Sequence, residues 1–266
     1  MARELAYAII TPYSLLKSRT GGIIGRLIAM SGLELIGARM YRPSDAMIDD
    51  LMKTVGEEEM PARIRSVLME YIDHNLRPEN VRGITNRCMF LLFAGDNAVE
   101  RLRRDAVGSI TTDVRGDTIR GTFGDLVLDD DNEVRYFEPA VICSGDPEAS
   151  KKQLEVFARY AESDGGILEN VMTFPPGLNV ETGLVILKPD NFTRASTHPG
   201  LIVDIFSRTG LYIVGAKLLK LRIEQGEKFY GHLYSVFAKK FRERVEGKLV
   251  RALDDAFGFT VPQQRI

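Results

Sequence analysis

Few residues in this chain have the type and spacing for chemistry, and the first is the run Cys143-Ser144-Gly145-Asp146, which follows an apolar stretch and precedes a helix signal. A thiol at the start of a helix can be driven toward thiolate and act as a nucleophile. A cysteine-phosphatase loop would need an arginine about six residues on, yet position 149 is Ala149, and no histidine lies nearby in sequence. The residues themselves therefore read as a buried, inert cysteine. Arg120, inside Gly116-Asp117-Thr118-Ile119-Arg120-Gly121, and Arg104, after a short helix, carry the planar fork that suits phosphate oxygens.

Other candidates carry less. The histidines His74, His198 and His232 fall at helix ends or in late helix and read as surface residues. Asp129-Asp130-Asp131 reads as a solvated hairpin tip. Gly21 and Gly22 lack the spacing of a phosphate-cradling loop, and two distant cysteines with three scattered histidines make no zinc pattern, so no metal ligand is assigned.

Composition bounds the rest. In 266 residues, 35 basic and 37 acidic side chains leave a formal charge of −2, which gives no basic field for nucleic acid or acidic lipid. Arg26, Glu34, Lys188 and Lys217 interrupt the most apolar stretches, so no membrane span is expected. Two cysteines and no secretory opening lead to the expectation of a reduced, cytoplasmic protein.

The elements that must position these residues follow from an internal repeat. Residues 5–40 recur as 183–219: Pro12 matches Pro189, Gly22 matches Gly200, Ile24 matches Ile202, Gly32 matches Gly210, and Gly37 matches Gly215. Each copy reads as a strand stopped by proline, a helix ended by glycine, and a second strand. Helices are expected over 45–53 and 61–75, a strand over 88–94, and a short helix over 97–106. A hairpin over 126–137, a strand over 140–143 and a helix over 147–162 follow. The Gly- and Pro-rich segment 163–182 reads as a linker, and 224–256 as mostly helical. Residues 1–162 then form an α+β, ferredoxin-like antiparallel sheet with helices on one face, and 183–266 a truncated second copy.

The phrases IITP, SGLELIGARM, GDTIRGTFG and VILKPD, in this order and repeated, resemble nucleoside diphosphate kinases. In that family a strand-end histidine passes a phosphoryl group from a triphosphate to a diphosphate, with arginines, a lysine and a threonine on the phosphates and Mg²⁺ bridging them. The resemblance implies phosphate contacts for Arg104, Arg120 and Thr118. It puts Cys143 at the phosphoacceptor position, Thr11 at the lysine position and Ile110, beside Thr111, at a phosphate-binding threonine position. The later copy keeps Lys188 of the KPD phrase and Tyr230 at a phosphate-site tyrosine. The segment 125–137 is an insertion.

The expectation is a degenerate, pseudoenzyme-like relative that binds a nucleoside di- or triphosphate without efficient ping-pong transfer. Mg²⁺ would enter only with nucleotide, and self-association is expected. An active kinase with an unorthodox site and a purely structural assembly module are the alternatives.

Overall fold

The computed structural model describes residues 3–110, 116–131 and 133–258, the side chain of residue 243 apart; the expected phosphate-site neighbour Thr111 lies outside the described residues. The chain divides into two compact units, residues 1–218 and 219–266. The division falls after Leu218, whereas the sequence reading puts the linker at 163–182. The reason is local: Gly165–Gly166 pairs with the sheet edge, the Leu168 amide donates to the Val214 carbonyl at 2.8 Å, and Val171 is buried.

The first unit is built on a five-stranded antiparallel sheet in the order β6-β1-β3-β2-β7, comprising β1 (Glu4–Ile10), β2 (Glu34–Tyr41), β3 (Cys88–Gly95), β6 (Val141–Ile142) and β7 (Gly165–Gly166). A separate hairpin, β4 (Asp125–Leu128) and β5 (Val134–Glu138), forms where the insertion was expected. Strand β1 runs antiparallel to β3, from Glu4 opposite Gly95 to Ile10 opposite Met89. Its other edge pairs with β6, which places Ile10 opposite Val141 and Ile9 opposite Ile142, so that Cys143 follows the pairing in the direction of the β1 N-terminus.

Helices cover both faces of the sheet, a correction to the one-sided sandwich expected from sequence. The run Ala6-Tyr7-Ala8-Ile9-Ile10 is buried at every position, as a strand packed on both sides must be. Ala6, Ala8 and Ile10 pack with α2 (Thr20–Ser31) and α5 (Ala98–Arg101). Tyr7 and Ile9 pack with α3 (Asp45–Gly56), α4 (Ala62–Leu76) and α7 (Pro147–Arg159). Each fully buried Ile or Leu here contributes about 1.5–3 kcal/mol of transfer free energy. Helix α1 (Pro12–Leu16) opens where Pro12 stops β1, capped by Thr11, whose hydroxyl accepts from the Ser14 amide at 3.2 Å. Helix α7 starts the same way: Asp146 accepts from the Ala149 amide at 2.9 Å and Pro147 occupies the first turn.

The helix expected within residues 183–219 forms as α8 (His198–Ser207), but the strands expected to flank it do not. Residues 184–187 and 211–219 enter no ladder, and Leu184 and Leu211 are 83% and 63% exposed. A strand needs a neighbour on its edge, and the chain after this segment is helical, so nothing plays the part that β3 plays for β1 and β2. Helix α8 lies against α2. A Cβ on Gly200 would stand 2.2 Å from the Gly21 carbonyl oxygen, so only glycine permits this backbone approach. The second unit contains α9 (Ile223–Tyr230) and α10 (Tyr234–Phe257), ended by Gly258 at φ 68°. Among the described residues no helix is long and apolar enough to cross a membrane.

Candidate functional site

Three of the residues singled out by sequence meet at the C-terminal end of β6. Thr118 caps α6 (Ile119–Phe123), its hydroxyl accepting from the Gly121 amide at 3.2 Å, and this short helix carries Arg120 inward. Helix α2 clamps α6 in place, because Arg19 donates to the Phe123 carbonyl at 2.5 Å and Arg26 to the Asp117 carbonyl at 3.0 Å. Arg120 is buried. Its Nη1 donates to the Gly108 carbonyl at 2.6 Å and its Nη2 to the Val141 carbonyl at 3.3 Å, and its charge acts on the Cys143 thiol. Its Nε is buried without a hydrogen-bond partner among the described residues. The guanidinium thus ties the Gly108 turn to β6 through backbone acceptors.

Cys143 is 8% exposed. Burial pushes its thiol above the ordinary 9.0 and Glu58 adds to the rise, while Arg120 and Arg103 pull against them. Burial prevails, so the sulfur is a protonated thiol at neutral pH and a poor nucleophile. Iodoacetamide at pH 7.5 should therefore modify the folded chain at Cys143 at least about 100-fold more slowly than a free cysteine. Time-resolved peptide mass spectrometry reads the rate, and labelling as fast as a model thiol would contradict a buried neutral sulfur.

Arg104 lies apart from this group. It is exposed, with Nη1 at 2.9 Å from Glu100 and Nε at 2.8 Å from Asp105, pairs of little energetic weight. Arg103 instead acts electrostatically on both Arg120 and Cys143. Arg103 and Arg104 both lie in a π-helical turn over Leu102–Val107. Lys188 is exposed beside a 3₁₀ turn, Pro189–Phe192. Tyr230 lies at the end of α9, in the second unit, against the Phe229 ring. Among the described residues no imidazole hydrogen-bonds Arg120 or Cys143.

Two buried carboxylates escaped the sequence reading. Glu58, 3% exposed, accepts from the Gly145 amide and from Gln153 Nε2 at 2.9 Å, and Tyr7 donates to Gln153 Oε1 at 2.6 Å. This chain of bonds fixes the turn that follows Cys143. Glu138, whose side chain is fully buried, accepts from Thr11 Oγ1 at 2.9 Å, Tyr71 OH at 2.9 Å, Arg82 Nη2 at 3.0 Å and the Ala140 amide at 3.1 Å. The Arg82 guanidinium lies 4.3 Å from the centre of the Tyr13 ring. Thr11, at the position where a phosphate-binding lysine was expected, thus hydrogen-bonds an internal carboxylate.

Burial raises both carboxyl pKa values above 4.5, against the hydrogen bonds that lower them. Each group binds its proton more tightly folded than unfolded. The stabilisation from that proton is complete below about 4.5 and is lost as pH rises through the folded value. Glu58→Gln should consequently flatten the pH dependence of the melting midpoint between pH 4.5 and 7. An unchanged slope would show that Glu58 does not titrate there.

No family model matches the chain, and no curated relative matches its sequence. Similar solved structures include a Borrelia burgdorferi nucleoside-diphosphate kinase in a transition-state mimic with bound vanadate and ADP. It is 14% identical, covering 59% of this chain and 88% of that one at a TM-score of 0.44. A Pyrobaculum aerophilum NDP kinase is 16% identical over 58% of this chain and 95% of its own, at 0.41. A nucleoside diphosphate kinase family protein from Babesia bovis is 18% identical over 65% and 95%, at 0.40.

Proposed function

We propose that this chain is a nucleoside-diphosphate-kinase-like protein that holds a nucleotide or phosphate ligand and does not carry out ping-pong phosphotransfer. Two lines of support concern the family: the order of the repeated phrases, and the β6-β1-β3-β2 strand order, which suits a ferredoxin-like core of that type. The observation that carries the functional reading is the burial of Cys143, which pushes its thiol toward the protonated form against the pull of Arg120, at the place where the resemblance puts a phosphoacceptor. Phosphoryl transfer needs an in-line nucleophile and cations that neutralise spreading charge. The nucleophile is what this site lacks, since burial keeps the thiol neutral, and Thr11 stands where the resemblance puts a lysine. Mg²⁺ enters this reading only as the counter-ion of a nucleotide's phosphates.

A second reading, a purely structural module, is favoured by Arg120 itself, whose donors already serve the Gly108 and Val141 carbonyls. Calorimetric titration with ADP and GDP in the presence of Mg²⁺ separates the two. Saturable binding that weakens in Arg103→Met supports the ligand-holding role, whereas no heat with either nucleotide supports the structural one.

A further inference from the structure

The first unit holds a second charged pocket, remote in sequence from Cys143. Arg87, the residue before β3, is 5% exposed. Its Nη1 donates to the Ile213 carbonyl at 2.6 Å and its guanidinium lies 5.6 Å from the centre of the Tyr212 ring. A carbonyl and a ring are neutral partners, and among the described residues no carboxylate pairs with this arginine. A buried cation without a counter-charge is costly, and proteins ordinarily supply an anion to it. Arg87 also lines a cavity of about 170 Å³, together with Ser18, Thr20 and Ser207. The cavity therefore joins a fixed guanidinium to two hydroxyl-bearing residues, Ser18 and Thr20, while the Ser207 hydroxyl already donates to the Val203 carbonyl at 3.2 Å.

We propose that this cavity is a binding site for a phosphate group, either inorganic phosphate or that of a small phosphomonoester, with Arg87 as its counter-charge. A tetrahedral oxyanion has acceptor oxygens for the guanidinium and for hydroxyl donors on other sides, whereas a planar carboxylate presents only two oxygens. Ser18 sits at the rim with φ 54°, a backbone conformation that aspartate also tolerates. Ser18→Asp should thus supply an internal anion to the same arginine and exclude the ligand without disturbing the fold.

The test is calorimetric titration of the full chain with inorganic phosphate at fixed ionic strength, followed by competition with sulfate and with acetate. Saturable phosphate binding, displaced by sulfate and unaffected by acetate, is the expected result. Arg87→Met should weaken it by at least about tenfold. If that variant does not fold, Ser18→Asp gives the same reading, with phosphate binding lost and the melting midpoint unchanged or raised. No binding by the unmodified chain, displacement by acetate, or undiminished binding in Ser18→Asp would each overturn the proposal. The site shares no residue with the Arg120–Cys143 group, so its failure leaves the reading of that group standing.

Discussion

Replacing Arg120 by methionine lowers the stability of this chain by about 3 kcal/mol, because two buried carbonyls lose their donor and each orphaned acceptor costs about 1–3 kcal/mol. The acceptors are those of Gly108 and Val141, at 2.6 and 3.3 Å from the guanidinium. For a chain of this size the melting midpoint should fall by about 10 °C. Circular-dichroism melting of the variant measures it. An arginine that serves only a phosphate ligand behaves otherwise: its removal relieves a buried charge and leaves the midpoint unchanged or higher. The sign of the shift therefore separates an internal brace from an idle ligand-binding group.

Arg82→Met is expected to be similarly costly, about 3 kcal/mol, since breaking a buried ion pair strands the remaining charge. Glu138 keeps the hydroxyls of Thr11 and Tyr71, which hold part of its charge, while the Tyr13 ring loses the cation that lies over it. Two further measurements make the cause specific. The deficit should shrink in acid, because the stranded carboxyl takes up a proton and no longer needs the cation. The double variant Arg82→Met, Glu138→Gln should also be more stable than the sum of the single effects predicts, a coupling of about 1–2 kcal/mol. Strict additivity at every pH would mean that the pair does not interact.

How much of this was legible in the sequence depends on the range of the interaction. Elements of the first unit could be placed because periodicity and capping are local: Asp146-Pro147 begins α7, Ser44 caps α3, and the apolar run from Cys88 forms β3. Coverage of both faces was also present in principle, in the unbroken burial of Ala6 to Ile10. The strands expected over 184–187 and 211–219 show the opposite limit, since these apolar runs enter no ladder. The π-helical turn that carries Arg103 and Arg104 is likewise a feature that periodicity does not reveal. Glu58 and Glu138 were hidden by distance along the chain, 87 residues from Gly145 and 67 from Tyr71. Nothing in the local sequence of either carboxylate marks it as internal.

The central proposal, that Cys143 does not accept a phosphoryl group, is tested most directly by incubating the full chain with γ-labelled ATP and Mg²⁺ and measuring protein-bound label before and after mild acid. The account predicts no acid-labile phosphoprotein, on Cys143 or on any histidine. Stoichiometric acid-labile phosphate that discharges onto a nucleoside diphosphate would contradict it.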